Sequence, residues 1–341
     1  MVDVGTTVVF EGKRYNEINF VLEEDFEKIV KNNFKALFGD KTIYLDLKTK
    51  TETQELGNGI PDGILFDFSD KDDVQFYLVE IELAKHSFYG HIFPQITRFF
   101  AFYRNLEGRN KLVESVFKFM ENNLDIQKEF KLFSGSNEVY KKLKDIIETS
   151  QNILIVVDNE LLVIEEIQAT YAETWGRYVK IGILNVFENE SKTILTLTPE
   201  FEQLRFGVID EVGPNQNSEV YNEAFHLEDV KPEVNKVYYK IKEYMNNLDK
   251  SIIFNPQHYY ISIRKNRNFA YIKPQTRKLK IVITLPIEEG KKLIKQHKIK
   301  ELSEGVQNFY NTPCFEVSIE KDIDLEEIYT ALKQAYERYK D

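Results

Sequence analysis

The apolar positions that follow residue 20 recur at helical spacing. Because residues three or four apart share one face of a helix, the pattern predicts one amphipathic helix from Val21 to Phe38. Gly39 follows the last apolar position and is typical of a helix end. Glu27 lies one step to the side of the apolar stripe. The stripe consists of Val21, Leu22, Phe26, Ile29, Val30, Phe34, Leu37 and Phe38.

Two apolar runs, Ile60–Phe68 and Val74–Leu83, flank a short polar tip. This pattern predicts a β-hairpin. Successive strand residues alternate between faces, so Glu80 and Glu82 share one face of the second strand. Pairing about the turn would bring Asp62, in the first strand, close to Glu80. Such a group of carboxylates is costly unless a cation joins it.

The remaining pattern up to residue 205 predicts a sheet with a helical excursion. His86–Asn105 reads as an aromatic-rich helix, and residues 106–150 as two or three amphipathic helices. Asn152–Val157 is almost wholly apolar, which is typical of a central strand. Further predicted elements are an edge hairpin within residues 2–15, a strand Thr42–Leu47, a helix Asn159–Trp175, and strands Tyr178–Phe187 and Thr193–Thr198.

A second, smaller unit follows a break in the apolar pattern. Residues 206–235 contain the loop-like stretch GPNQNSE and predict a linker. Residues 236–341 predict a small α+β domain. Its predicted elements are helix Val237–Leu248, strands Tyr259–Arg264, Phe269–Lys273 and Lys278–Leu285, helix Glu288–His297, strand Phe315–Ile319 and helix Leu325–Tyr339.

Length and composition indicate an ordinary globular protein. The 341 residues suffice for two domains with their own cores, and 42% of them are hydrophobic. A single cysteine, Cys314, excludes a disulfide framework and a cysteine-based zinc site, which favours a reducing compartment. The sequence lacks the apolar core of a signal peptide and any run of about 18 apolar residues. We therefore expect a cytoplasmic protein without a membrane partner.

Charge is distributed unevenly along the chain. The net charge is −11, and residues 1–100 carry 11 Lys or Arg against 18 Asp or Glu. Residues 251–300 carry 12 against 2, with aromatic residues between them. This segment predicts a nucleic-acid surface, or else two strands whose lysines only solubilise an exposed face. The basic residues are Arg264, Lys265, Arg267, Lys273, Arg277, Lys278 and Lys280.

The order of these motifs resembles the PD-(D/E)xK nuclease superfamily. Pro61-Asp62 matches its "PD", and Glu80-Ile81-Glu82 lies where the superfamily has "(D/E)xK", with Glu82 in the lysine position. The segment that starts at Gln95 and ends at Phe99 is similar to its Gln-x-x-x-Tyr element. The resemblance covers about residues 21–188. It implies a restriction-endonuclease-like α/β domain over residues 1–205, a mixed sheet flanked by helices, with an αβββαβ core and a helical insertion at 106–150.

The same resemblance implies a metal-dependent catalytic site. Asp62, Glu80 and the backbone carbonyl of Ile81 would bind Mg²⁺ or Mn²⁺. Glu82 or Lys85 would orient or deprotonate the attacking water. Glu27 would be an additional acid near the metal, and Gln95 would hold a base or a phosphate. The alternative reading is a solvent-exposed strand face that carries two glutamates. His86 and His91 flank the site without a metal-binding spacing. They are expected either at the surface or in contact with the site residues, and not as metal ligands.

The expected function is hydrolysis of DNA by a metal-dependent endonuclease, in restriction, phage defence or repair. One site cuts one strand, so a double-strand cut requires a homodimer or sequential nicking. One alternative is a nuclease-like protein that has lost catalysis and only binds DNA or protein. Another is a regulatory scaffold whose C-terminal domain does the recognising. From His226 onward the chain resembles a small α+β domain known as a "predicted transport protein", although it has no membrane segment.

Overall fold

The computed structural model describes residues 6–46, 61–71, 73–159, 178–190, 192–206, 222–228, 230–257, 260–320 and 324–339. Contacts within these residues divide the chain into two units. The first runs to Arg205, and the second begins at Phe206. The predicted helix Asn159–Trp175 lies outside the described residues, except for its first position.

The first unit is built on a mixed sheet. Its strand order is β1-β2-β7-β6-β5-β4-β3, with β8 paired to β7. The pairs β5–β6 and β6–β7 are parallel and the other pairs are antiparallel. The strands are β1 (Thr7–Phe10), β2 (Lys13–Glu17), β3 (Thr42–Asp46), β4 (Gly63–Asp67), β5 (Gln75–Glu82), β6 (Asn152–Val157), β7 (Val179–Asn189) and β8 (Lys192–Thr198).

Helices cover both faces of this sheet. The α1–α2 face buries Leu154 and Val156 of β6. On the opposite face, Phe66 and Phe76 pack against each other and against aromatic rings of α5 and α3. The helices are α1 (Glu23–Asn32), α2 (Phe34–Phe38), α3 (Phe93–Arg104), α4 (Leu106–Glu121), α5 (Leu124–Ser134), α6 (Val139–Thr149) and α7 (Phe201–Phe206). A strand buried on both sides needs no polar alternation, which explains the continuous apolar run of β6.

The predicted hairpin, the strand at Thr42 and the central strand β6 are confirmed. The prediction of one helix over residues 21–38 is wrong. The chain breaks between α1 and α2 at Asn33, whose φ is −117°. The Asn33 side chain donates to the carbonyl of Ile29 at 2.8 Å and so competes with the continuing helix. The predicted helix from His86 starts as a π-helix, Phe88–Ile92, before α3 begins.

The second unit is built on an antiparallel sheet with the order β13-β14-β12-β11-β10-β9. Its strands are β9 (Ile253–Pro256), β10 (Ile261–Arg264), β11 (Asn268–Pro274), β12 (Leu279–Ile283), β13 (Lys298–Glu301) and β14 (Phe315–Ile319). Its helices are α8 (Glu223–Leu227), α9 (Pro232–Leu248), α10 (Ile287–Leu293), α11 (Glu304–Phe309) and α12 (Glu326–Tyr339). The chain thus combines a helix-flanked mixed sheet with a second, antiparallel sheet.

Two boundaries in the second unit differ from the sequence prediction. The predicted linker 206–235 ends too late, because Leu227 and Val234 are already part of the buried core. The predicted helix Glu288–His297 ends at Leu293, and β13 follows it. None of the helices in the described ranges is long and apolar enough to cross a bilayer.

A buried ion pair stabilises the hairpin end of the first sheet. Arg205 Nε lies 2.9 Å from Asp67 Oδ2, and both side chains are almost fully buried. Arg205 also donates to the backbone carbonyl of Asp73 at 3.3 Å. The pair therefore joins the end of β4 and the following turn to the C-terminal end of the first unit.

We expect Arg205→Met to lower the free energy of unfolding of the first unit by about 3–5 kcal/mol, because it leaves the Asp67 carboxylate buried without its ion-pair partner. Urea denaturation would measure the loss. The matched control is Lys128→Met, which removes an exposed ion pair to Asp125 and should cost less than about 1 kcal/mol. Equal losses in the two variants would contradict a structural role for the buried pair.

Gly63 begins β4 directly beneath the ring of Tyr44. A Cβ atom at position 63 would overlap the hydroxyl and ring carbons of Tyr44. We expect Gly63→Ala to cost about 1–3 kcal/mol of unfolding free energy, since overpacked sites are strained by that amount. Gly90→Ala is the control, because its Cβ would meet only Ser87 at ordinary contact distance. A Gly63→Ala protein as stable as the control would show that the ring does not lie there.

Candidate functional site

Asp62 lies beside Glu80 at one end of the β4–β5 pair. Gly63 is opposite Val79 in the register, so the preceding residue, Asp62, continues the pairing beside Glu80. The backbone N–H of Ile81 donates to Asp62 Oδ2 at 2.6 Å. Both acidic side chains are buried. The structure thus brings together Asp62, Glu80 and Ile81, while their role as metal ligands stays a prediction.

Tyr44 lies among a set of carboxylates at this end of the sheet. Burial raises the pKa of Tyr44 well above its ordinary value, and the charges of four nearby acids raise it further. Its hydroxyl is buried and has no hydrogen-bond partner among the described residues. The four acids, in order of effect, are Asp62, Asp46, Glu27 and Glu80. Tyr44 is therefore a neutral phenol at neutral pH.

Glu27 joins the group from α1 and is buried, as the resemblance implied for an acid near the site. Lys31, one turn later, lies 2.8 Å from Glu27 Oε2 and 3.3 Å from Asp46 Oδ2. Burial lowers the pKa of Lys31, but the two carboxylates raise it by more, so the ammonium stays charged. Lys31 therefore bridges the helix and β3. Sequence reasoning missed Lys31, Asp46 and Tyr44.

Glu82 is directed to a histidine. Its Oε2 lies 2.8 Å from Nδ1 of His86, and the same nitrogen lies 3.4 Å from Oε2 of Glu23 in the first turn of α1. The ring of His86 packs near that of His91, with centroids 5.3 Å apart. Glu82 is nearly fully buried. His86 is thus in direct contact with a predicted site residue, which is one of the two positions expected for it from the sequence.

The structure does not bring Lys85 to the carboxylates of Asp62 and Glu80. Its exposed ammonium donates to the backbone carbonyls of Phe20 and Val21, at 3.2 and 2.7 Å. The lysine therefore holds the chain that leads into α1. The expectation that Lys85 orients or deprotonates the attacking water is not supported by this position.

Gln95 lies in the first turn of α3 and is half-buried. Its Oε1 is buried and accepts no hydrogen bond from the described part of the chain. No contact of Gln95 with Asp62 or Glu80 is present among the hydrogen bonds of the described residues. Its predicted role in holding a base or phosphate stays a prediction.

Asp158 is a further acid at the same edge of the sheet. It follows the parallel strand β6 and accepts the backbone N–H of Ala84 at 2.6 Å. Burial raises the pKa of Asp158, although this hydrogen bond and the charges of Lys85 and His86 oppose the rise. The position directly after a buried parallel strand could have marked Asp158, because carboxyl ends of such strands commonly carry functional residues.

The basic segment of the second unit does not form one exposed surface. Lys278 and Lys280 are buried, and Lys280 Nζ lies 3.1 Å from Oε1 of buried Glu316. Lys265 pairs with Asp249 at 3.0 Å. The remaining predicted residues differ in exposure: Arg264 and Lys273 are half-buried, while Arg267 and Arg277 are exposed. The expected track of solvent-exposed charge therefore includes fewer residues than predicted.

Comparisons with known proteins leave the function open. A family model described as a domain of unknown function (DUF5655) matches residues 223–338, within the second unit. A protein of Haemophilus influenzae described as uncharacterized is 31% identical over 156 residues, which is 45% of this chain and 47% of that protein. The chain therefore matches about half the length of this relative. No solved structure matches.

We expect Tyr44→Phe to change the free energy of unfolding by less than about 0.5 kcal/mol or to stabilise the protein, because a buried hydroxyl without a partner contributes no favourable hydrogen bond. Tyr103→Phe is the control, since the Tyr103 hydroxyl donates to the carbonyl of Asn152 at 3.2 Å. That variant should lose about 1 kcal/mol. Chemical denaturation of both proteins would decide, and a larger loss in Tyr44→Phe would contradict the placement.

Proposed function

We propose that the protein is a metal-dependent nuclease that hydrolyses DNA phosphodiester bonds. The observation that carries the proposal is the position of Asp62, whose carboxylate accepts the Ile81 N–H at 2.6 Å and lies beside Glu80. Acids from two adjacent strands thus meet at one end of the sheet. This is the pairing that the resemblance to PD-(D/E)xK nucleases requires.

The order of elements in the first unit supports the same proposal. Helix α1 precedes three antiparallel strands, β3, β4 and β5, and helices lead to the parallel strand β6. This order agrees with the αβββαβ core that the resemblance to restriction-endonuclease-like domains implies. Helices α4, α5 and α6 would then be the insertion within that core.

The residues fit a hard divalent cation. Carboxylate oxygens are the ligands that Mg²⁺ and Mn²⁺ prefer. Asp62 and Glu80 would hold the ion, with the Ile81 carbonyl as the predicted third ligand. Tyr44, whose pKa is raised by burial and by the charges of Asp62 and Glu80, adds a buried hydroxyl oxygen near the pair. When bound, such an ion lowers the pKa of a water ligand and neutralises charge on the phosphate.

The surrounding residues have distinct tasks in this proposal. The Ile81 N–H fixes the orientation of Asp62. Tyr44 keeps its proton and can therefore donate a hydrogen bond to a phosphate oxygen. Lys31 holds Glu27 in place. Glu82 and its partner His86 are the groups placed to accept a proton from water, because the ammonium of Lys85 is directed elsewhere.

Other properties follow from the proposal. One site cuts one strand, so a double-strand cut requires a homodimer or two successive nicks. DNA as the substrate agrees with the cytoplasmic location expected from the single cysteine, Cys314. The exposed Arg267 and Arg277 of the second unit are its best candidates for phosphate contacts.

The position of Lys85 favours a second candidate function. A chain with glutamate in the lysine position, and with the next lysine in the sequence bound to backbone carbonyls, could bind DNA without cutting it. The carboxylate of Glu82 also already interacts with the ring of His86. This candidate predicts a mobility shift with DNA but no cleavage.

We expect the full-length protein to nick supercoiled plasmid in Mg²⁺ or Mn²⁺, and Asp62→Asn to reduce the rate by more than about 100-fold. Groups that only support metal ligands already change such activities by ~10–100-fold, and a direct ligand should matter more. The amide oxygen of the substituted side chain could still accept the Ile81 N–H, so the fold should persist. Gel electrophoresis of the plasmid measures the rate.

Asp125→Asn is the matched control, because it removes an exposed acid of the helical insertion. It should cleave like the wild type. In parallel, saturating Mg²⁺ should raise the melting temperature of the wild type, through ligand-linked stabilisation, and not that of Asp62→Asn. Binding of DNA without cleavage by the wild type would favour the second candidate. If the wild type neither binds nor cleaves DNA, both candidate functions lose their support.

A further inference from the structure

A second group of metal-type donors lies at the carboxyl end of β5. Nδ1 of His86 is 2.8 Å from Oε2 of Glu82 and 3.4 Å from Oε2 of Glu23. All three donor atoms lie within 4.8 Å of one another. They come from three parts of the fold: the end of β5, the turn after it and the first turn of α1. Glu82 and His86 are only four residues apart, and the packing of α1 brings Glu23 to them.

The burial of the three side chains differs in a way that suits ion entry. The Glu82 side chain is only 4% exposed, whereas Glu23 and His86 are about one-third exposed, at 29% and 31%. The Glu82 side chain is thus held in the interior, and the other two side chains are accessible to solvent. A dication could reach the group without unfolding of the sheet.

The distances between donors agree with coordination of one ion. Ligand atoms that lie about 2.0–2.2 Å from a transition metal are separated from one another by roughly 3–4 Å. A histidine nitrogen with carboxylate oxygens is a set that such metals accept and that Mg²⁺, which prefers oxygen, does not. The donor chemistry therefore differs from that of the Asp62 and Glu80 pair.

Nδ1 of His86 lies near two carboxylates but carries at most one proton. A single Nδ1–H can donate well to Glu82 or to Glu23 but not to both. A dication in place of that proton would interact favourably with both carboxylates at once. Asp158, whose pKa is affected by the charge of His86, brings a further carboxylate to the same edge.

We propose that Glu23, Glu82 and His86 form a binding site for a transition-metal dication of the Zn²⁺, Mn²⁺ or Fe²⁺ class. The site requires neither DNA nor the nuclease activity proposed above. Binding releases the proton of Nδ1, to Nε2 or to solvent, and changes no oxidation state. The two sets of metal ligands, Asp62 with Glu80 and Glu23 with Glu82 and His86, share no residue and can be tested separately by metal binding, although Glu82 and His86 are also the proton acceptors proposed above.

The experiment is a titration of the full-length, tag-free chain with Co²⁺, followed by visible absorption. Cobalt is a spectroscopic probe for this class of site, and a nitrogen ligand shifts its bands relative to aqueous Co²⁺. We expect one equivalent of Co²⁺ to bind to the wild type. A 100-fold excess of Mg²⁺ should not displace it, and Zn²⁺ should.

The variants identify the ligands. His86→Ala should weaken Co²⁺ binding by at least 10-fold and remove the shifted bands, and so should Glu23→Gln, which leaves β5 untouched. His91→Ala is the matched control, because its ring packs near His86 but belongs to no donor group, and it should bind like the wild type. Circular dichroism would verify that each variant is folded.

Three results would overturn the proposal. These are a wild type without shifted bands, a His86→Ala protein that binds Co²⁺ like the wild type, or loss of the bands in Asp62→Asn alone. The last result would place the cobalt ion at the Asp62 and Glu80 pair instead. Retention of the bands in Asp62→Asn is expected, whatever the plasmid assay shows. Failure of one site is thus distinguishable from failure of the other.

Discussion

The hydrogen bond from the Ile81 N–H to Asp62 determines the chemistry available at the end of the first sheet. It extends the β4–β5 pairing by one step, and it directs a buried carboxylate toward the next strand. The hydrogen bond offsets part of the free-energy cost of burying the Asp62 carboxylate. With it, Asp62 is fixed beside Glu80 before any ligand arrives. The other contacts of the site are arranged around this fixed carboxylate.

Two basic side chains each interact with two carboxylates, at different positions in the first unit. Lys31 links Glu27 and Asp46 on the α1 side. His86 links Glu82 and Glu23 at the carboxyl end of β5. A charged lysine has no lone pair with which to coordinate a metal ion, whereas a neutral imidazole nitrogen can be a metal ligand. This chemical difference separates a structural ion pair from a candidate binding site.

Much of the fold could be predicted from periodicity, because it depends on burial. The hairpin and β6 follow from apolar runs that only a covered sheet explains, and the approach of Asp62 to Glu80 follows from strand alternation. The position of Tyr44 could not be found in this way, since it depends on β3 lying beside β4. The contact of His86 with Glu23 could not be predicted either, because Glu23 lies far away in the chain.

The number of charged residues in a segment likewise does not predict which of them are exposed. The number of basic residues in 251–300 predicts a positive surface, but burial of Lys280 against Glu316 depends on the pairing of β12 with β14. The direction of Lys85 likewise depends on how the chain approaches α1. Sequence spacing identifies which residues are near a strand end, and only the packed structure determines what each one touches.

The contact between Tyr44 and Gly63 means that substitutions at these two positions on neighbouring strands depend on each other. A side chain can be gained at position 63 only if the ring at position 44 is lost or moved. Tyr44 and Gly63 should therefore be exchanged together in any engineered or natural variant that keeps this sheet. Substitution libraries built on this chain would recover paired solutions at the two positions, such as a small residue at 44 with alanine at 63, more often than either change alone.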